Sequence, residues 1–469
     1  MWVQGVYMDS ESRTEAQTGI QADLSVRKAS LREVIKLALP IIISMTSISV
    51  LGLVDTFFMG LIGPGAQAAV GFGAPSTFSV LSLFFGLFSG LTTFVSQYYG
   101  AKRYSDCGKM LWHALYLALV FGVLSAVFIN PVLWWLLNVM HVNPDFIQET
   151  FDYMKVRMYA APWVFVSFTL LSFLRGIGDM KTPAYVSMVA ILANVPLTYI
   201  FAFGLGPVPP FGVAGAAIGT VISQAIEALI YACVVFGRKN NTAFSTRKIV
   251  RPVASVYGEY IRVALPVGGS WAIEHWGWIV YGLYISSLSK VEAAANAIIQ
   301  SFMNLAFMPG LAISIAATTL VGQYMGAKNV RSAEKSANYA LVLSVVCLFS
   351  LGFIMFLLRY VIAEGFSNDA EVIQVTANLF LFAFVYQIFD AAGVTTSGAL
   401  RGAGDTRFPM VVSLGAIWGV MVPLIFVQDK LFGWGVYGAW GVASLCIILC
   451  GCVYFARFKQ GKWKSMGVV

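Results

Sequence analysis

The sequence predicts an all-α integral membrane protein with twelve transmembrane helices in two pseudo-symmetric six-helix lobes. Three observations predict this. The 469 residues are 58% hydrophobic and only 11% charged, with a mean hydropathy of +0.77, whereas a soluble domain carries about 25% charged residues. Apolar runs of about 20 residues or more recur along the whole chain and leave no room for a soluble domain. Three segments of the first half return in the second half at one fixed offset.

Taken in order, residues 1–30 are polar and mixed in charge. They lack the apolar core and small-residue cleavage site of a signal peptide, and read as a flexible cytoplasmic tail. Spans are expected near 33–60, 66–99, 109–133, 147–174, 183–205 and 213–237, giving an N-terminal lobe over 31–237. The basic, polar stretch "GRKNNTAFSTRKIVRPVASVYGEYIR" (237–262) joins the halves, with the linker proper at 238–257. Spans near 254–287, 293–325, 335–361, 371–400, 408–428 and 435–457 form a C-terminal lobe over 258–457, and a basic tail follows at 458–469. With the N-terminus inside, 25 of the 30 Lys and Arg residues fall in tails or loops on the cytoplasmic side. Lys155, Arg157, Lys290, Arg359 and Lys430 are the remainder. The positive-inside rule therefore places both termini in the cytoplasm, as for a bacterial inner-membrane protein.

The net charge of +8 does not point to nucleic acid, because the basic residues are dispersed in short clusters between apolar segments. The cysteines (Cys107, Cys233, Cys347, Cys446, Cys450 and Cys452) show no metal-ligand or disulfide-framework spacing and read as free thiols.

The halves match as "VSQYYGAKRYSDCGK" (95–109) with "VGQYMGAKNVRSAEK" (321–335), "LRGIGDMKTP" (174–183) with "LRGAGDTRFP" (400–409), and "LALP" (37–40) with "VALP" (263–266). All three pairs share an offset of 226 residues, which indicates duplication of a six-helix unit. Six spans per copy insert both copies the same way round, so the lobes are related by an axis along the membrane normal. This architecture places a cavity between two bundles, as alternating access requires, and one chain contains a complete pathway as a monomer.

Four acids lie well inside spans: Asp55, Glu227, Glu274 and Asp390. A lone carboxylate in the bilayer core costs about 2.5–3.5 kcal/mol on insertion scales, so each must face a cavity, pair with a cation or stay protonated. Asp55 has Thr46, Ser47, Ser49 and Thr56 nearby on its own helix, and is either a transport carboxylate or one bonded within its lobe. Glu274 stands among Trp271, Trp276 and Trp278. A carboxylate beside aromatic faces suits an organic cation, although the rings also serve as packing or interfacial anchors. Asp390 has Tyr386 one turn earlier on the same helix face. Glu227 follows Gln224 by one turn, which allows either a neutral hydrogen-bonded pair or a transport role. His275 adjoins Glu274 but points about 100° around the helix and reads as packed or hydrogen-bonded. The LRGxGD segments place Arg175, Asp179, Arg401 and Asp405 at cytoplasmic helix ends, where the glycines form turns and the charges meet exposed backbone. No GxxxxGK[ST] loop is present, so an ion gradient is the expected energy source.

These residues resemble the multidrug and toxic compound extrusion (MATE) transporters over nearly the whole chain: "LALP" with "VDTFFMG", "QYYGAK", "LRGIGD", "NVPLTYIFAFG", "GVAGAAIGT" and "LRGAGD". The resemblance implies two six-helix lobes and export of organic cations in exchange for Na⁺ or H⁺, without a bound cofactor. By motif position Asp55 resembles the family's ion-responsive acid, fifteen residues after a bending proline, Pro40. Asn194 and Thr220 resemble its polar neighbours, and Thr198 stands where the family often carries Asp or Asn. Glu274, Asp390 and Tyr386 resemble the C-lobe site of the drug and sodium efflux branch, so Asp55 or the Glu274/Asp390 pair is where the coupling ion, Na⁺ or H⁺, is expected. Glu227, His275 and Trp271 are accessory candidates. The rivals are weaker. A flippase for a lipid-linked or polar lipid substrate needs a basic cavity, whereas the deepest charges are acidic; a membrane enzyme needs a metal cluster or activated nucleophile, and the sequence offers neither.

Overall fold

The computed structural model describes residues 24–139 and 144–468; residues 1–23, 140–143 and 469 lie outside that description. So do the side chains of 47–51, 53, 130, 136, 139 and 144–146, which include Ser47 and Ser49 beside Asp55. The spans are α1 (Leu31–Ile62), α2 (Pro64–Ser89 and Leu91–Gly100), α3 (Tyr104–Val139), α4 (Pro144–Tyr159 and Ala161–Ile177), α5 (Lys181–Phe203) and α6 (Gly212–Val235). The second half supplies α7 (Ala254–Ser286), α8 (Lys290–Gly326), α9 (Val330–Leu357), α10 (Ala370–Ala403), α11 (Arg407–Ser413, the π-helical Leu414–Met421 and Val422–Phe432) and α12 (Gly435–Gln460). Every expected span is a helix. Nine of the described helices, or ten with the bent α4 taken as one, are long and apolar enough to cross a membrane. The two outside that count are α1, part of which lies outside the description, and α7, which carries Glu259, Arg262, Glu274 and His275.

Local sequence sets the ends and breaks. Glu33 accepts from the Ser30 N–H and pairs with Arg27 at the start of α1. Ser289 and Glu292 form a capping box on α8, and Asp369 caps α10. The two parts of α4 meet at 55°, just before Pro162, which cannot supply the N–H that a continuous helix needs. In the LRGxGD segments Gly178 and Gly404 close α4 and α10 in the left-handed conformation (φ +87° and +98°), as the motif predicts.

Tails and linker are more ordered than expected. Residues 24–30 are not free: the Leu24, Ser25 and Arg27 carbonyls accept from Asn329, and Ser332 also donates to Arg27. A short helix, Arg238–Phe244, begins the inter-lobe segment, which docks on α3 through Trp112 to the Thr246 carbonyl (2.8 Å) and Tyr116 to Val250 (3.0 Å). At the C-terminus Trp463 is fully buried, Lys464 pairs with Glu334, and the Val468 N–H reaches Gln97 Oε1 at 2.9 Å. All six cysteines are free.

The packing exchanges one helix between halves. Met59, near the end of α1, lies in the core of the first half, whereas Val34 and Ala38 at its start pack with Ala317, Leu320 and Tyr324 of α8. Conversely, Tyr260 and Ala264 at the start of α7 belong to the first-half core, and Tyr281 and Tyr284 near its end to the second. Pro40 and Pro266, 226 residues apart, lie inside these crossing helices.

The seam is fastened where the basic loops lie. Gln97 Nε2 donates to the Gly402 carbonyl (2.9 Å) and Gln323 Nε2 to Gly176 (3.1 Å). Thr93 donates to Arg401 (3.0 Å) and Thr319 to Arg175 (3.1 Å). Each bond has its counterpart at the 226-residue offset, so the four form a reciprocal set. The backbones approach closely there: a Cβ on Gly100 would overlap the Gln323 carbonyl, and one on Gly326 would overlap that of Gln97. Because each obstacle is backbone, a side chain at either glycine must part the lobes. In Gly326→Ala, spin-label distances between the lobes at the basic end should lengthen or broaden relative to the parent; an unchanged distribution would contradict this seam.

Candidate functional site

The structure gathers the intramembrane acids into three clusters. In the first, Asp55 of α1 lies beside Thr198 of α5 and within the field of Arg157 of α4. Thr198 donates to Asn194 Oδ1 at 3.2 Å, and Arg157 Nη1 donates to Gln224 Oε1 of α6 at 3.3 Å. Asp55 Oδ1 and Asn194 Nδ2 are buried with no hydrogen-bond partner among the described protein atoms. An unmet buried acceptor costs about 1–3 kcal/mol. Thr220 and Thr56 donate to carbonyls of their own helices, at Ala216 (3.0 Å) and Gly52 (2.8 Å), so neither hydroxyl proton is directed at Asp55.

The second cluster lies in the other half. Glu274 Oε1 accepts from Ser413 Oγ at 2.7 Å, and Ser413 shares a 2.8 Å bond with Tyr454. Ser413 is the residue before the π-helical stretch, where the widened turns alter which side chains face α7. Trp418 within that stretch donates to the Ile273 carbonyl at 3.2 Å. Asp390 lies in the field of Glu274, and the buried Tyr386 in that of Asp390. Two carboxylates therefore act on one region, with Arg401 also facing Glu274. A bound cation would relieve their mutual repulsion.

Glu227 belongs to a third cluster, and of its two readings the pair with Gln224 does not form. Gln224 faces Arg157, while Glu227 lies beside Tyr231 and the buried Arg175. The LRGxGD arginines thus turn inward, and their carbonyls rather than their side chains join the lobes. The acids of the motif serve local order: Asp179 accepts from the Thr182 N–H and hydroxyl, and Asp405 pairs with Arg457 at 2.9 Å. His275 and Trp271 sit at the seam. His275 Nδ1 meets the Trp271 carbonyl at 2.8 Å, and the His275 ring lies 4.9 Å from that of Phe78 on α2. Among the described residues no three His, Cys, Asp or Glu side chains converge as a metal site.

Arg157, Ser413 and Tyr454 were not singled out from sequence. Arg157 had a signal, being one of five basic residues outside the basic-end loops. A serine or tyrosine within a helix carries none.

Comparison with known proteins follows the same architecture. The family model MatE matches residues 40–200 and again 266–427, two segments separated by the internal offset. The chain is 28% identical over 440 residues to a probable multidrug resistance protein NorM of Thermotoga maritima, covering 93% of this chain and 94% of that one. It is 29% identical over 440 residues to the multidrug resistance protein PmpM of Pseudomonas aeruginosa, covering 90% and 91%. A crystal structure of MATE in the bent conformation superposes with a TM-score of 0.83 at 20% identity, covering 95% of this chain and 97% of that one. With the family model spanning both halves, the chain belongs to the MatE family, the multidrug and toxic compound extrusion transporters.

Proposed function

We propose that this chain exports small organic cations by antiport with Na⁺ or H⁺. Asp55 is the ion-responsive group of the first lobe, and Glu274 with Asp390 forms the cation site of the second. The observation that carries this reading is the buried Asp55 Oδ1, without a hydrogen-bond partner among the described residues, on the helix that crosses the seam. The names of the relatives, multidrug resistance proteins, support the cargo class.

In this mechanism the seam at the basic end closes the cytoplasmic side and leaves the cleft open outward. A cargo cation sits against Glu274 and Asp390, with Tyr386 beside them. Arrival of Na⁺ or H⁺ neutralises the carboxylates and weakens the hold on the cargo, and cargo departure leaves charges that must be neutralised before the lobes rock back. Arg157 sets the resting charge near Asp55, and Pro40 gives α1 a place to bend, since proline removes one helical hydrogen bond. The protein acts in a bacterial inner membrane with both termini inside, and one chain suffices.

Reconstituted vesicles loaded with a fluorescent cation and given separate Na⁺ and pH gradients test the coupling. The parent chain should respond to at least one gradient, and Asp55→Asn should lose that response by about tenfold or more in rate, which corresponds to roughly 1.4 kcal/mol. Unchanged gradient-driven efflux in the variant would sink the coupling role. In the second lobe, Ser413→Ala removes a charge-assisted bond worth about 1.5–3 kcal/mol. Equilibrium binding of the same cation should weaken by roughly tenfold or more, and equal affinity would separate Ser413 from the cation site.

A further inference from the structure

A groove of about 350 Å³ runs between the starts of α7 and α11, lined by Arg262 and Arg407 together with Ile261, Leu265, Pro266 and Met410. Its lining includes none of the four intramembrane acids. The two halves of its lining differ in chemistry. Ile261 and Leu265 are 38% and 46% exposed, so an apolar wall faces outward, where the bilayer lies. Above it stand two exposed guanidinium groups at the end that carries the basic loops.

Both arginines are unclaimed by the protein. Among the described residues neither has an ion-pair or hydrogen-bond partner. Asp405, two residues from Arg407, is taken by Arg457. Positions 258, 261, 262 and 265 share the groove face of α7, whereas Tyr260, Ala264 and Gly268 form the face that meets α2: Tyr260 donates to the Leu87 carbonyl at 2.8 Å, and a Cβ on Gly268 would meet Leu83.

The pattern also occurs twice. At the 226-residue offset, Arg262 and Arg407 correspond to Lys36 and Lys181, also exposed and basic, with Ile35 and Leu39 in the places of Ile261 and Leu265. Met180 packs on Ile41, which brings the start of α5 to α1 as α11 is brought to α7. The corresponding positions of the first half thus carry the same residue types, two exposed cations and two exposed aliphatic side chains.

We propose that the groove between α7 and α11 is a binding site for an anionic phospholipid of the leaflet at the basic end. Arg262 and Arg407 hold the phosphate, and an acyl chain lies along Ile261, Leu265 and Met410. Basic pockets between helices on this side of a membrane suit such headgroups, and two guanidinium groups supply multiple charge-assisted donors to phosphate oxygens. A zwitterionic lipid lacks the net charge that favours the pair, and a free phosphate ester lacks the chain that the apolar wall accepts. Because the groove includes Pro266, the lipid would lie against the turn at which α7 crosses from one lobe to the other.

Native mass spectrometry of the detergent-solubilised chain titrated with phosphatidylglycerol, phosphatidylcholine or glycerol 3-phosphate tests this. The work is done in a Lys36→Gln, Lys181→Gln background, so that the other basic pair does not contribute. Phosphatidylglycerol should bind at least about tenfold more tightly than phosphatidylcholine, and Arg262→Gln with Arg407→Gln should remove that preference while leaving phosphatidylcholine adducts unchanged. Both arginines are exposed, so the variant keeps its packed core. Retention of the preference in the arginine variant, equal binding of the two lipids, or binding of glycerol 3-phosphate as tight as that of the anionic lipid would each overturn the proposal.

Discussion

A glutamine side chain reaching a backbone carbonyl of the opposite half, made twice, is the contact on which the rest of the arrangement depends. Gln97 and Gln323 extend from α2 and α8 to Gly402 and Gly176, and the bonds from Thr93 and Thr319 flank them. Both acceptors lie in the last turns of helices, where carbonyls have no intrahelical donor and need one from outside. Meeting that need across the seam joins the lobes through backbone, which is why small residues and LRG termini recur at the same offset. The C-terminal tail adds an asymmetric element: the Val468 N–H takes the other end of the Gln97 amide, so one glutamine joins α2, the end of α10 and the tail.

Duplication retained these fastenings and let the chemistry diverge. Asp55 corresponds to Tyr281, and Glu274 to Ile48, so neither acid has an acidic counterpart. The paired arginines Arg175 and Arg401 kept their positions but face different acids, Glu227 in one half and Glu274 in the other. Pro162 bends α4, whereas its counterpart Ile388 leaves α10 a single helix. Arg157 itself has Ala383 as its counterpart, so the first lobe alone carries a cation beside its acid, while the second lobe sets two acids near each other.

Most of the fold was legible because its causes are local or periodic. Apolar length defines a span, and a fixed offset defines the repeat. The acids were legible for an energetic reason, since a charge within an apolar run demands an explanation. Their partners were not. Helical spacing puts Gln224 one turn from Glu227, yet it turns to Arg157 on another helix. Ser413 meets Glu274 across 139 positions and beside a π-helical stretch, and no pattern in the sequence marks that stretch. Contacts along one helix follow from spacing, whereas contacts between helices depend on rotation and bending.

The crossing of α1 and α7 connects the two kinds of information. A helix confined to one lobe could report the state of its acid only to neighbours in that lobe. α1 instead begins against α8 of the second half and ends in the core of the first, with Pro40 near the point where its contacts change sides. Asp55 lies beyond the proline, in the part that belongs to the first lobe. A change in the charge at Asp55 alters what that part of α1 can bury, and the proline is where the helix can yield without losing an additional backbone bond. The portion before the proline remains held to α8, Tyr324 and the docked N-terminal residues. Coupling in the proposed antiport therefore needs no signal carried through the cleft: a single helix, anchored in one lobe and ionisable in the other, is enough to connect ion occupancy with the angle between them.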